Sequence, residues 1–450
     1  MKTPGLNALN IFPVRINDLS GDRKGCDYLV YSPLSREIFV KDSDWVKKTE
    51  QSIYDKTKFP ERDRLIEEIV SSQTKTRDVY AGRTTGEVTK MSILPNYACN
   101  FSCSYCYSAK GRSKGKLSEE KAYTAIDYFI DTKRIKTREL WLSVLGGGEP
   151  MLSWKLTSRI IRYARERSRA LGFKLGIGLT TNGSVINDEL IKTILDNYVQ
   201  LSISFEILED VQNTQRQEFE KVSQNIKVLM EAGLDITIKP IITPANVERL
   251  SDMVSTLHKN LPKIKNVKLQ IAEGENVFHN DMAMAKFYQT FTRHFFDARK
   301  LAQSYGIDLY CLSSKYVNLL LEHYCGGELC VTPEGTVSMC HRVSSPNEKY
   351  YNDFVYGQIK NINEVEIDQG KFQKLIKYDI YNNMKCKNCF VKYHCGGGCL
   401  AQSYTYTPKQ LDIICDWNRD LTKRLLWNYY TENKTSNTER VKLSVNLNQP

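Results

Sequence analysis

Three cysteines, Cys99, Cys103 and Cys106, fall within eight residues with the spacing Cys-x3-Cys-x2-Cys. Three thiolates on one tight loop hold three irons of a cubane. A 4Fe-4S cluster normally takes four ligands, so such a loop leaves one iron open for chemistry. The bland alternatives are three buried structural thiols or part of a zinc site. Zinc prefers four nitrogen or sulfur ligands, and no histidine lies near this loop.

A second group fills the C-terminal third as Cys325-x4-Cys330-x9-Cys340 followed by Cys386-x2-Cys389-x5-Cys395-x3-Cys399-x15-Cys415. Eight ligands make two fully ligated cubanes, with Cys26 and Cys311 left over. Cys-x2-Cys pairs also build zinc ribbons, so spacing alone leaves both metals open, and it does not choose among partitions of eight ligands.

The chain that must position these thiols has 450 residues, 41% apolar and 26% charged, with 25 Gly and 13 Pro. That composition excludes collagen-like, low-complexity and disordered readings and leaves a globular protein with room for several units. No apolar stretch is long enough to span a bilayer, and no apolar segment follows the basic start. The expectation is a cytoplasmic protein with no membrane partner, in a reducing compartment where thirteen cysteines bind metal rather than form disulfides. The net charge of +11 comes from scattered cations mixed with acids, which describes a solvated surface and no nucleic-acid partner. One local exception, AlaLysGlyArgSerLysGlyLys at Ala109 to Lys116, reads as a mobile loop with an option on substrate contact.

From residue 90 to 305 short strand-like runs alternate with longer helical ones. The strands are expected at Met91 to Leu94, Leu140 to Leu145, Lys174 to Thr180, Val199 to Phe205, Ile236 to Ile242 and Val267 to Ile271. Ser118 caps one helix with Glu119 and Glu120 in its first turn, and the helices through Arg169 and Met230 run into Gly172 and Gly233. Six strand-helix units in series predict an α/β fold with a parallel sheet curled as a partial (β/α)6 barrel. In such folds active groups collect at the C-terminal ends of strands, where the first cysteine loop falls.

The expected organisation is an α+β unit over 1–89, the barrel over 90–310, a cysteine-rich domain over 311–431 and a polar, frayed tail over 432–450. The first unit shows a hairpin around ProLeuSerArg and one helix near Leu65 to Val70.

Cys99, Cys103, Tyr105 and Cys106 match residue for residue the Cys-x3-Cys-x-aromatic-Cys motif of the radical SAM superfamily, which this sequence resembles. The resemblance implies that the open iron binds the amino and carboxylate groups of S-adenosylmethionine (SAM). One-electron reduction then gives a 5'-deoxyadenosyl radical that removes hydrogen from an unactivated C–H bond. GlyGlyGlyGluPro at Gly146 to Pro150 looks like the family's GGE motif, in which Gly147 and Gly148 let the backbone approach and Glu149 accepts from the SAM ammonium. ThrThrAsnGly at Thr180 to Gly183 carries Asn182. SerIleSerPheGlu at Ser202 to Glu206, with Arg216 downstream, resembles the stretch where Ser204 touches the ribose and Arg216 lies near the carboxylate. The departure is at Phe205 to Ile207, where relatives often read Leu-Asp-Gly.

The second cysteine group, with GlyGlyGlyCys at Gly396 to Cys399 and the ThrProGluGlyThrVal hairpin, resembles the SPASM extension of these enzymes. The resemblance implies an inner auxiliary cluster on Cys325, Cys330, Cys340 and Cys399 and an outer one on Cys386, Cys389, Cys395 and Cys415. That makes three 4Fe-4S clusters in all. It also implies a peptide maturase that closes a C–C, C–O or thioether cross-link in a ribosomal precursor peptide, with an electron donor such as flavodoxin or ferredoxin. The alternatives are a formylglycine-forming sulfatase maturase and, outside enzymes, a zinc-binding adaptor. Sulfatase maturases carry an aspartate after the third of these eight cysteines, where this chain has His341. Residues 1–89 are expected to recognise a leader peptide or to cap the barrel, and no general base is assigned.

Overall fold

The computed structural model describes residues 5–20, 27–76, 80–274, 277–435 and 439–444. Its N-terminal unit is an antiparallel sheet of β1 (Phe12–Arg15), β2 (Tyr28–Ser32) and β3 (Glu37–Lys41). β2 and β3 form the expected hairpin, and Arg36 takes the left-handed conformation that closes its turn. Two helices follow where one was expected. Asp42 accepts from the Trp45 amide at 2.7 Å to start Ser43–Asp55, and Pro60 occupies the first turn of Pro60–Ser71, where its missing N–H costs nothing. Val30, Phe39, Val46 and Ile69 form the small core beneath them.

The main sheet starts with β4 (Lys90–Ile93), β5 (Glu139–Val144), β6 (Lys174–Thr181) and β7 (Val199–Ile203). β8 (Ile236–Ile238) resumes beyond Pro240 as β9 (Ile241–Ile242), the proline lacking the N–H that would continue the ladder. β10 (Asn266–Lys268) is likewise followed by β11 (Gln270–Ile271), which pairs with β9. A seventh parallel strand, β12 (Asp308–Tyr310), extends the six-strand expectation by joining β10.

The cysteine-rich region is hydrogen-bonded into the same sheet. β13 (Leu329–Val331) runs parallel to β4, and β14 (Thr336–Ser338), β15 (Val355–Asn361) and β16 (Glu364–Ile367) continue as an antiparallel meander. The order is β12-β10-β8-β7-β6-β5-β4-β13-β14-β15-β16.

Alternation along the strands separates two faces. On β6, Leu175, Ile177 and Leu179 are buried beneath helices such as Trp154–Ala170, while Gly176, Gly178 and Thr180 face the other way and stay half-buried. The Trp141 ring lies across that second face, so close that a Cβ on Gly176 would meet it at 2.3 Å. Lys90 on β4 and Lys268 on β10 have β5, β6, β7 and β8 between them in the sheet. Their charges nevertheless repel across it, as the curl of a partial barrel requires.

The stretch read as a frayed tail differs from expectation. Helix Pro408–Asn433 runs into it, and β17 (Arg440–Lys442) then pairs antiparallel with β3, with Val441 opposite Ile38. Val441 and Leu443 are buried, which is what anchors an otherwise polar segment.

Candidate active site

The first cysteine loop leaves the C-terminal end of β4, and its turn is closed by the Cys106 amide donating to the Cys103 carbonyl at 3.2 Å. Burial pushes the Cys99 and Cys103 thiols up, and the neighbouring thiols add to that. Arg112 opposes it. Its guanidinium donates to the Phe101 carbonyl and faces all three cysteines. The segment Ala109 to Lys116, expected to be a mobile loop, is therefore anchored. Arg112 holds its middle, Gly111 is buried against Ser345, and Lys116 bridges to Asn96.

The glycine run after β5 packs onto this loop. A Cβ on Gly148 would land 2.0 Å from the Ala98 carbonyl oxygen, and one on Gly147 would land 2.5 Å from the Tyr97 ring. That closeness lets the Glu149 amide donate to the Ala98 carbonyl at 2.7 Å. The Glu149 side chain is 3% exposed. Its carboxylate accepts from Thr181 Oγ1 at 2.7 Å, the Met151 amide at 3.0 Å and the Asn182 amide at 2.7 Å. Burial raises its pKa and these three donors oppose the rise. Asn182 contributes its backbone to Glu149, while its side chain is spent on Asn100 and Ser184. Asn96, which sequence reasoning missed, donates to the Glu149 carbonyl at 3.1 Å and to Ser153 at 2.9 Å.

At the end of β7 the Ser204 amide donates to the Thr181 carbonyl at 3.0 Å, setting the two strand ends side by side. Tyr105 donates its hydroxyl to Glu206 and accepts from Arg216 Nη1 at 2.8 Å. Arg216 lies 3.8 Å from Glu206, and both are buried. This trio ties the cysteine loop to β7 and to the end of helix Glu209–Gln215.

The eight later cysteines gather in two sets. In one, Cys325 and Cys340 each feel Cys399, and Cys330 feels Cys340. In the other, Cys395 feels Cys386, Cys389 and Cys415, and burial together with these neighbours pushes Cys386 and Cys395 up to about 12. Crowded, buried thiols become thiolates when a cation sits among them, so both sets suit metal ligation. Cys311 is buried at the start of helix Leu312–Tyr316, away from both sets, and Cys26 lies outside the described residues.

Beside the first of these sets the structure adds a residue that the sequence did not single out. Glu328, 3% exposed in its side chain, accepts from Ser92, lies 3.4 Å from Lys90 Nζ and stands 3.4 Å from His341 Nδ1. Burial works to raise its pKa, and Lys90, His341 and Ser92 overcome that and hold it well below the usual carboxylate range. Its only sequence signal was a carboxylate placed between two cysteines, Cys325 and Cys330. Tyr107 bridges the two regions. Its ring stands edge-on to His341 with the ring centroids 6.2 Å apart, and it feels Cys106 on one side and Cys340 and Cys330 on the other.

These residues fit a cluster with SAM beside it. A carboxylate offers about four lone-pair directions, and Glu149 has three filled, leaving one for an ammonium. Buried Arg216 Nε and Gln215 Oε1, at the end of helix Glu209–Gln215, find no hydrogen-bond partner among the described residues. Among the described residues no three His, Cys, Asp or Glu side chains close around a single ion. A cubane meets each thiolate at a different iron and asks for no such closure.

Residues 93–257 match the Radical SAM superfamily. An S-adenosylmethionine-dependent nucleotide dehydratase from Psychrobacter lutiphocae is 24% identical over 216 residues, 44% of this chain and 69% of the relative. A cysteine-type anaerobic sulfatase-maturating enzyme from Clostridium novyi is 19% identical over 344 residues, 71% of this chain and 90% of the relative. Among solved structures, native anSMEcpe with bound AdoMet and Kp18Cys peptide superposes with a TM-score of 0.60 at 15% identity, covering 76% of this chain and 99% of that one. Streptococcus suis SuiB bound to precursor peptide SuiA gives 0.53 at 15% identity, covering 78% and 79%. The likeness to both structures is one of fold.

Proposed function

The chain is a radical SAM enzyme, and from that premise we propose that it is a peptide maturase that takes hydrogen from a precursor peptide to close a C–C, C–O or thioether cross-link. The observation that carries the reading is the cysteine loop and Glu149 joined just past the C-terminal ends of β4 and β5, in a fold shared over three quarters of the chain with two structures that hold peptides. Cys99, Cys103 and Cys106 would hold the SAM-binding cluster. When bound, the reduced cluster and SAM supply a radical able to break an unactivated C–H bond.

The chain's own residues do the rest. Glu149 would take the SAM ammonium with its remaining lone pair, Gly147 and Gly148 would let the backbone come close, and Ser204 would meet the ribose and Arg216 the carboxylate. Tyr105 and Asn182 hold these groups in place. The eight later cysteines would carry two auxiliary clusters with no open iron, suited to passing electrons from a donor such as flavodoxin or ferredoxin. The setting is the reducing cytoplasm. Among the described residues no helix is long and apolar enough to cross a membrane. The two helices on the N-terminal sheet support leader-peptide recognition by that unit over a plain cap.

One observation favours a second reading. Sulfatase maturases carry an aspartate at the position of His341, and here Glu328 places a carboxylate 3.4 Å from His341. The test is anaerobic co-expression with a short peptide encoded beside the gene, and with a variant in which Cys99, Cys103 and Cys106 are all Ala. Loss of two hydrogens per modified site, absent with the variant, is the expected result. An unchanged peptide mass from an iron-replete enzyme that still cleaves SAM overturns the reading in favour of sulfatase peptides.

A further inference from the structure

The half-buried face of the sheet is lined by small and neutral residues, among them Gly176, Gly178, Thr180, Ser202 and Thr237. Two lysines stand in this lining. Val267 of β10 pairs with Ile238 of β8, so the next residues, Lys268 and Lys239, lie side by side on neighbouring strands. Ile238 and Val267 are buried under the helices, which puts both lysines on the opposite, inner face. Lys239 Nζ donates to Thr180 Oγ1 at 3.4 Å, and among the described residues neither lysine has an ion pair.

The charges around them do not cancel. Lys239 faces Lys268 and Arg216, and Lys268 faces Lys90. Of these four cations, Lys90 is matched by Glu328 at 3.4 Å, and Arg216 lies 3.8 Å from Glu206 and donates to Tyr105. Among the described residues, Lys239 and Lys268 face no carboxylate from this inner wall. Burial, with Lys268 and Arg216 beside it, pushes Lys239 down to about 7, which shows how poorly the site tolerates its own charge. A protein keeps such a pair where a ligand supplies the missing anion.

We propose that Lys239 and Lys268 form a subsite for a carboxylate of the peptide substrate, holding an acidic side chain or a free C-terminus against the inner wall next to the strand ends that carry Thr180 and Ser204. This deepens the maturase reading and rests on it. Thr180 joins the neutral hydrogen-bonding wall beside Lys239, and the Trp141 ring, seated over Gly176 and Gly178, continues that wall.

The test uses the anaerobic holoenzyme with SAM and three probes: acetyl-Gly-Glu-Gly-amide, acetyl-Gly-Gln-Gly-amide and acetyl-Gly-Gly-Gly with a free carboxylate. Dissociation constants of the probes and of SAM are measured by calorimetry on the same preparations. At least about a tenfold preference for one acidic probe over the Gln probe is expected, and which acidic probe wins tells side chain from terminus. Lys239→Gln and Lys268→Gln should each lose most of that preference, while Lys239→Arg and Lys268→Arg, which keep the charge, should retain it. Equal affinity for all probes in the unaltered enzyme overturns the proposal, and so does a preference that survives both Gln variants. A loss of SAM affinity as large as the loss of preference assigns the pair to the SAM carboxylate and overturns it as well. Probe preference is read without any peptide being modified, so its failure and the failure of the cross-linking experiment are separate results.

Discussion

The Tyr105 hydroxyl donates to the Glu206 carboxylate, so the aromatic of the cysteine motif is held from β7 across 101 residues of chain. Arg216 closes the arrangement by donating to the same hydroxyl at 2.8 Å. Glu206 also accepts from the Ile241 amide at 2.8 Å, which brings in β9. One fully buried carboxylate thereby fixes the end of β7, the end of helix Glu209–Gln215 and the start of β9 relative to the cysteine loop.

Burial is the largest influence on Glu206 and pushes it up to about 7 against the opposing pull of Arg216, Tyr105 and the Ile241 amide. The native state keeps its proton over a range where the unfolded chain, with an ordinary glutamate pKa of about 4.3, has lost it. A raised carboxyl pKa contributes stability that is full below about 4.3 and is lost as pH rises through about 7, some 3 kcal/mol in order of magnitude. Anaerobic urea midpoints taken from pH 5.5 to 8.5 should therefore fall more steeply for the unaltered protein than for Glu206→Gln, which cannot ionise. Parallel curves would mean that Glu206 is charged throughout.

Gly148 is constrained by what surrounds it, since any Cβ there would strike the Ala98 carbonyl and the Asn96 side chain. Gly148→Ala should push the Glu149 backbone off the cysteine loop at a cost of about 1–3 kcal/mol. SAM affinity and iron content are expected to fall together. Gly172→Ala makes the control, because that position has a positive φ but open space around it. It should cost about 1 kcal/mol and leave SAM affinity unchanged. Equal losses of SAM affinity in the two variants would show that the crowding at Gly148 is not what matters.

The long alternating runs made the parallel strands readable, because Leu175, Ile177 and Leu179 repeat at the strand period and leave glycine and threonine on the other face. The first cysteine loop was legible as well, since a metal-binding pattern depends on residue types at fixed spacing. β12 and β13 were not, because three residues carry no measurable period. Helix Ser43–Asp55 hid behind its charged residues, and only Asp42 and the buried Val46 and Thr49 marked it. Glu328, Lys239 and Lys268 stayed silent for a further reason. A lone charge beside apolar neighbours looks like an ordinary surface residue until the fold shows which face it occupies.

The Glu328 carboxylate is almost wholly shielded, whereas Lys90 keeps 45% of its side chain exposed. Removing one member of a buried pair costs about 3–5 kcal/mol, and solvent around Lys90 lowers the figure here to about 2 kcal/mol for Glu328→Ala. Lys90→Met should cost less, and the double variant should lose less than the sum, with a coupling of about 1 kcal/mol in a double-mutant cycle read from anaerobic denaturation. Full additivity would show that Ser92 and His341, not Lys90, hold the carboxylate.

β17 closes the open edge of the N-terminal sheet with a segment distant in sequence. Lys41 meets Glu439 at 3.2 Å, Arg440 meets Glu68 at 3.1 Å and the Leu443 amide donates to the Arg36 carbonyl at 2.8 Å. Those exposed pairs add little, so the hold comes from Val441 and Leu443, each worth about 1.5–3 kcal/mol when fully buried. Truncation after residue 434 should speed hydrogen exchange in β3 and β2 while leaving β5 and β6 protected, and the bared edge should promote association at high concentration. Val441→Asp keeps the chain length and should reproduce the exchange result through the lost apolar contact alone. If β3 exchanges at its original rate in both variants, the sheet is stable without its fourth strand and the edge is free to pair with another segment.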